Sequence, residues 1–171
     1  MTLKEELLRE FSKQHVVYLS NKIGSDQDRF DELIMLFLHE EYRVTQRAAW
    51  VVSHCVDNHP WLVEKHLESI ILNLQNDIND AVKRNTVRVL QFMEIPEDLM
   101  GILADVCFGF LNSAKEPVAI KAHSITILYN IAKKYPELKE ELKVSIEDQL
   151  PYASAGLKNR GSKILKQLQS L

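Results

Sequence analysis

A nine-residue pattern occurs four times along the chain, with copies that begin at Thr45, Val82, Ile120 and Leu157, 37 or 38 residues apart. The fifth residue of each copy is small, and a β-branched aliphatic residue lies three positions later on the same helical face. The small residues are Ala49, Thr86, Ser124 and Gly161, and the aliphatic residues are Val52, Val89, Ile127 and Ile164. A period of this length is typical of stacked helix pairs, because one pair cannot bury its apolar face alone.

A second amphipathic segment precedes each copy and ends in a leucine 7 to 9 residues before it. This nearly constant gap indicates a short connection between two antiparallel helices. Pro60, Pro96 and Pro136 each open the first helix of a pair, where a missing N–H is harmless. The sequence therefore predicts a leading helix over about 2–23, first helices over about 26–39, 60–76, 96–112 and 136–150, and second helices over about 42–58, 79–93, 117–134 and 155–170.

The predicted elements make the chain an all-α protein, because no segment has the alternation of a strand. We expect one helical-repeat domain over residues 1–171, with residues 1–24 as a capping helix and residues 25–171 as four helix pairs. No apolar run approaches the ~20 residues that span a membrane, and the charged N-terminus lacks the apolar core of a signal peptide. We therefore expect a cytoplasmic protein whose two cysteines are reduced core thiols.

The segment Leu74-Gln75-Asn76-Asp77, followed by Val82-Lys83 and then by Thr86 and Leu90, resembles the HEAT repeat. The resemblance covers about residues 26–171 and implies a right-handed α-α superhelix of the ARM/HEAT superfamily with about nine helices. HEAT-like proteins generally act as scaffolds or adaptors, so the resemblance implies a non-enzymatic protein-interaction module. One branch, the HEAT-like alkylation-repair DNA glycosylases, binds DNA on the concave face and supplies the alternative function.

The stretch from Arg47 to Val52, followed by His59-Pro60-Trp61-Leu62, is also similar to small uncharacterised bacterial helical-repeat proteins. Some of these are labelled adenylosuccinate lyase. Such a lyase is a much longer chain with a glycine- and serine-rich catalytic loop. This sequence has no such loop, so the similarity does not imply lyase activity.

Formal charge is divided between the two sets of helices. The predicted second helices together carry +10, and the first helices with their flanking residues (26–41, 60–78, 94–112 and 135–150) carry −14, within a chain of net charge −3. Second helices line the concave face of a HEAT-like solenoid, so we predict a basic concave face that binds an acidic protein segment or a phosphate backbone. The net negative charge favours a protein partner over nucleic acid.

Helical geometry selects the residues of this face. In the second copy, Val82, Thr86 and Val89 share the packed side, and Arg84 and Arg88 face away from it. The equivalent outward set includes Val87 in this copy, Val51 in the first and Ile125 in the third. The predicted partner-binding residues are Arg47, Trp50, His54, Arg84, Arg88, Tyr129, Lys163 and Lys166, with Trp50 and Tyr129 as aromatic anchors.

The sequence predicts no catalytic residue, metal or cofactor. His54 and His59 are five residues apart and fall on different helical faces, and no paired Cys-x-x-Cys occurs. A glycosylase would need an aromatic-lined cleft with a carboxylate, for which Trp50, Trp61 and Asp57 are the candidates. The terminal helices should cap the array. We therefore expect a monomer, or a weak homodimer if a cap leaves apolar surface open.

Overall fold

A computed structural model describes residues 1–171, and it contains helices and no strands. This result confirms the predicted all-α class. Three short 3-10 helices span Pro60–His66, Pro136–Leu138 and Leu150–Tyr152. The ten α-helices are α1 (Leu3–Arg9), α2 (Lys13–Ile23), α3 (Gln27–His39), α4 (Tyr42–Asn58), α5 (Leu67–Asn73), α6 (Asp80–Leu90), α7 (Glu97–Asn112), α8 (Val118–Lys134), α9 (Lys139–Gln149) and α10 (Ala155–Leu168).

The N-terminal segment is two helices, so the prediction of a single leading helix was wrong and there are ten α-helices rather than about nine. The Thr2 side chain caps α1 in a capping box with Glu5. Glu10 is extended, and the Ser12 hydroxyl accepts a hydrogen bond from the His15 amide to start α2. Each hydroxyl satisfies a backbone donor that a helix start leaves free, so two helices form in place of one.

The remaining helices follow the predicted layout closely. The second helices predicted over 42–58 and 117–134 are found at Tyr42–Asn58 and Val118–Lys134. The first helix predicted over 60–76 begins as the 3-10 segment after His59 and becomes α-helical only in α5. Gly24 ends α2 with φ of 56° and ψ of −131°, a conformation open to glycine but strained for residues with a Cβ.

The chain divides into two compact units, residues 1–89 and residues 90–171, which we describe separately. In the first unit, α3 packs against α4, and α4 also packs against α1 and α2. In the second unit, α8 packs against α7, α9 and α10. The single domain over residues 1–171 stays a prediction.

The repeated small residue is buried in every copy. Ala49 and Ser124 have no exposed surface, Thr86 is 2% exposed, and Gly161 is buried. The aliphatic residues three positions later are also buried, at 1–3% exposure. The column therefore lies in the packed interior, where a small residue permits two helices to approach closely.

Candidate functional site

A groove of about 460 Å³ lies in the first unit between α4, α6 and the α1–α2 connection. We call it the α4–α6 groove. Four of the predicted partner-binding residues, Trp50, His54, Arg84 and Arg88, line it. The complete lining is Phe11, Gln46, Trp50, Ser53, His54, Asp57, Ala81, Arg84, Asn85 and Arg88.

Aromatic side chains form one wall of the groove. Phe11 meets Trp50 edge to face, with ring centroids 5.7 Å apart and an interplanar angle of 81°. The Trp50 ring is also 6.3 Å from the His54 ring. Phe11 is about half exposed and Trp50 is partly buried, so the wall presents apolar surface to the groove.

Arg47 lies behind this wall. Its guanidinium carbon is 5.3 Å from the centroid of the Phe11 ring, and Nη1 donates a hydrogen bond to the Leu7 carbonyl at 2.9 Å. Burial and the neighbouring Arg43 cation hold the pKa of Arg47 below its usual range, although a guanidinium stays charged at neutral pH. Arg47 therefore fixes Phe11 and adds positive potential behind the groove.

The charge of Arg88 is balanced within the unit. Its guanidinium nitrogens donate to the two carboxylate oxygens of Asp57 at 3.0 and 2.9 Å, and Nη1 also donates to the Ser53 hydroxyl at 2.5 Å. This bidentate pair connects α6 to α4. Arg88 therefore has a structural partner, and its predicted contact with a ligand stays a prediction.

Arg84 differs from Arg88 in its surroundings. It lies on the same helix, is exposed, and forms no ion pair. A guanidinium without a carboxylate partner is available to pair with an acidic group of a ligand. Of the two arginines that line the groove, Arg84 is therefore the one without an ion-pair partner.

The other predicted binding residues lie in the second unit. Tyr129 on α8 is partly buried and carries the Lys133 ammonium 5.2 Å from its ring centroid. Lys163 and Lys166 on α10 are exposed. Each of the three is at the surface, and their role in binding stays a prediction.

Part of the predicted outward face is not at the surface. Val51, Val87 and Ile125 are at most 1% exposed and belong to the core. The packed side predicted from Val82, Thr86 and Val89 covered too little of each helix. These second helices are covered on two sides and bury more than one apolar stripe.

Arg160 is a structural residue that the sequence did not identify. Its Nη1 donates to the Thr126 hydroxyl at 2.6 Å and to the Ala122 carbonyl at 3.3 Å, and thereby joins α10 to α8. In the repeat alignment Arg160 falls in the column of Asn85 and His123, where no cation recurs. The column therefore carried no signal for it.

The groove residues show no arrangement of an activated nucleophile. Asp57, the carboxylate considered for a glycosylase, is paired with Arg88. Trp61 packs against His59, is 52% exposed and does not line the groove. Both cysteines are buried, and burial raises the pKa of Cys55 to about 11 and that of Cys107 to about 12. Neither thiol ionises at neutral pH. No cluster of three or more His, Cys, Asp and Glu side chains could hold a metal ion.

The repeated helix pairs and their buried small residues define a helical-repeat protein. The model of the HEAT repeat domain matches residues 3–168, and the chain therefore belongs to the HEAT repeat family. This family match and the all-helical structure agree with the predicted α-α solenoid class. None of the curated proteins and none of the solved structures compared with the chain matches it. No helix has the length and apolarity required to cross a membrane.

Proposed function

We propose that the chain is a non-enzymatic scaffold or adaptor module that binds an acidic segment of a partner protein in the α4–α6 groove. HEAT repeats generally mediate protein interactions, and the family is typically non-enzymatic. The observation that carries the proposal is the exposed, unpaired Arg84 in a groove whose opposite wall is formed by Trp50 and Phe11.

The groove suits a peptide with both a carboxylate and an apolar side chain. An acidic side chain pairs with Arg84, while an aliphatic or aromatic side chain packs against Phe11 and Trp50. Tryptophan and arginine are the residue types that most often dominate binding energy at protein interfaces. Arg47 holds the Phe11 ring from behind the aromatic wall and adds positive charge that attracts an acidic ligand. We include His54 and Arg88 in this binding site, and we propose separately that Tyr129, Lys163 and Lys166 contact a partner at the surface of the second unit.

Charge reversal at Arg84 should weaken binding of acidic peptides by about tenfold, because one attraction becomes a repulsion. A random peptide library displayed on phage is selected on the unmodified chain, and the enriched peptides are then measured against Arg84→Glu. The matched control is Lys13→Glu, which makes the same change of charge at an exposed site at the start of α2. Enriched peptides should carry Asp or Glu beside an apolar residue and bind Lys13→Glu normally.

Two results of this selection would reject the groove. Peptides with no excess of acidic residues would remove the charge argument. Equal affinity of acidic peptides for the unmodified chain and Arg84→Glu would place their site elsewhere.

The alternative is nucleic-acid binding, as in the HEAT-like DNA glycosylases. It is favoured by one observation, the presence of Trp50 and the Asp57 carboxylate in a single groove. The ion pair between Asp57 and Arg88 and the net charge of −3 oppose it. Filter binding of a duplex of about 20 base pairs over a salt series separates the two functions. Affinity that falls steeply with salt supports nucleic-acid binding, and no binding at low salt removes it.

The proposal also covers the location, the oligomeric state and the cofactor requirement of the protein. We place the protein in the cytoplasm as a monomer or weak homodimer, without a cofactor. The labels of the similar small bacterial proteins supply no activity to this proposal.

A further inference from the structure

The second unit has a pocket of about 470 Å³ between α7 and the start of α9, and the end of α8 closes it. We call it the α7–α9 pocket. Met100, Ala104 and Phe108 of α7 line it together with Ile131 of α8 and Leu138. These side chains give the pocket an apolar lining.

Gly101 leaves part of this pocket open. It lies exposed in the middle of α7 and lines the pocket, and a Cβ atom added there would have no neighbour within 4 Å. Glycine in a helix interior costs roughly 1 kcal/mol relative to alanine. This position therefore contributes space at the pocket and no packing.

The rim of the pocket is acidic. Glu97 and Asp105 of α7, Glu137 just before α9 and Glu141 in α9 line it, and no lysine, arginine or histidine does. Glu97 accepts a hydrogen bond from the Tyr135 hydroxyl at 2.7 Å, while the other three carboxylates are exposed and form no ion pair. Four carboxylates around an apolar lining create a negative potential that attracts cations.

The spacing of the carboxylates determines the kind of cation. Glu97 and Asp105 are eight residues apart on one helix, which corresponds to about 12 Å along its axis. A single small amine cannot reach both. A polypeptide with two basic residues about two helical turns apart can, and it can place an apolar side chain between them.

We propose that the α7–α9 pocket binds a basic amphipathic segment of a partner protein. The lysine or arginine heads pair with the rim carboxylates, their aliphatic stems and a neighbouring apolar residue pack on Met100 and Phe108, and Gly101 provides the room. The ligand has the opposite charge to the one proposed for the α4–α6 groove. A chain with both sites would join an acidic partner segment to a basic one.

The test uses a fluorescein-labelled helical peptide of about 14 lysine and leucine residues, whose binding to the full chain is followed by fluorescence anisotropy. Gly101→Leu fills the pocket and should weaken peptide binding at least about tenfold. This is the loss expected when an apolar anchor can no longer enter its pocket. Its matched control is Gly109→Leu, the same change on the same helix at an exposed site outside the pocket lining, which should bind normally. Both changes favour the helix, so neither should impair folding.

Neutralising the rim separates the charge contribution from the shape contribution. The double variant with Glu137→Gln and Glu141→Gln should lose about tenfold in affinity, roughly threefold for each exposed pair. Equal binding by Gly101→Leu and Gly109→Leu would overturn the proposal, as would unchanged binding by the double variant. Self-association of the chain that Gly101→Leu abolishes would assign the pocket to a second copy and would also overturn it.

The two proposed sites can be distinguished in the same assay. Arg84→Glu should leave binding of the lysine and leucine peptide unchanged, because Arg84 does not line the α7–α9 pocket. Loss of binding in Arg84→Glu would show that the peptide does not report on the pocket and would reject the assignment.

Discussion

Replacement of Phe30 by alanine is expected to lower the free energy of unfolding by about 3–5 kcal/mol. Phe30 lies on α3 with no exposed surface, and its ring is 6.0 Å from that of His66. Truncation removes apolar contacts and leaves a cavity that a close-packed interior fills only in part. Urea unfolding followed by circular dichroism at 222 nm measures the loss.

The matched control for this prediction is Phe92→Ala, which makes the same chemical change at a side chain that is 71% exposed. We expect its effect to stay within about 0.5 kcal/mol. Natural domains are stable by only about 5–15 kcal/mol, so the Phe30 variant should lose a large part of its stability. A loss at Phe30 no larger than that at Phe92 would contradict the packing described for α3.

Gly161→Leu should lower the free energy of unfolding by up to about 2 kcal/mol. A Cβ atom at Gly161 would lie 3.0 Å from Cγ2 of Ile146 and 3.1 Å from Cδ2 of Leu150, so the longer leucine side chain must displace both residues. Overpacking of this kind costs about 1–3 kcal/mol. The better helix propensity of leucine returns roughly 1 kcal/mol. The same urea titration measures the difference.

Gly156→Leu gives the comparison within the same helix, α10. A Cβ atom there has no neighbour within 4 Å, so leucine should be neutral or slightly stabilising. Opposite signs for the two glycines would show that the small residue of the repeat is required by helix contact. Equal effects would mean that the column at Ala49, Thr86, Ser124 and Gly161 is a coincidence of composition.

The repeat period gave most of the fold from sequence. Position within a helix decides which residues share a face, and this information is local. The small residue and the aliphatic residue three positions later were therefore identified in all four copies, and α4 was bounded at Tyr42 and Asn58 as expected.

The break between α1 and α2 was missed because apolar residues continue through it. The leading helix predicted over about 2–23 includes Phe11, yet this residue lies in the connection between α1 and α2 and faces Trp50. The hydroxyl of Ser12 was the available signal, since serine is a preferred residue at a helix start. Without the break, Phe11 could not be assigned to the groove.

The sequence also could not predict the contacts between helices that shape the candidate site. Summing the charges of each helix treated Arg88 and Asp57 as separate contributions, although the fold brings them together in a bidentate pair. Pairing across about 31 residues depends on the distance and rotation of two packed helices, which periodicity does not encode. This is why Arg84 and Arg88 appeared equivalent in the sequence and differ in the structure.

Trp50 fluorescence tests the central claim, that acidic segments bind the α4–α6 groove. The chain has two tryptophans, so Trp61→Phe leaves Trp50 as the sole reporter, on the groove wall. Titration with a peptide of glutamate and leucine should shift the Trp50 emission to a saturating value, also in the Lys13→Glu background. In the Arg84→Glu background the shift should require about tenfold more peptide. No shift at all, or the same titration curve with Arg84→Glu, would contradict the account.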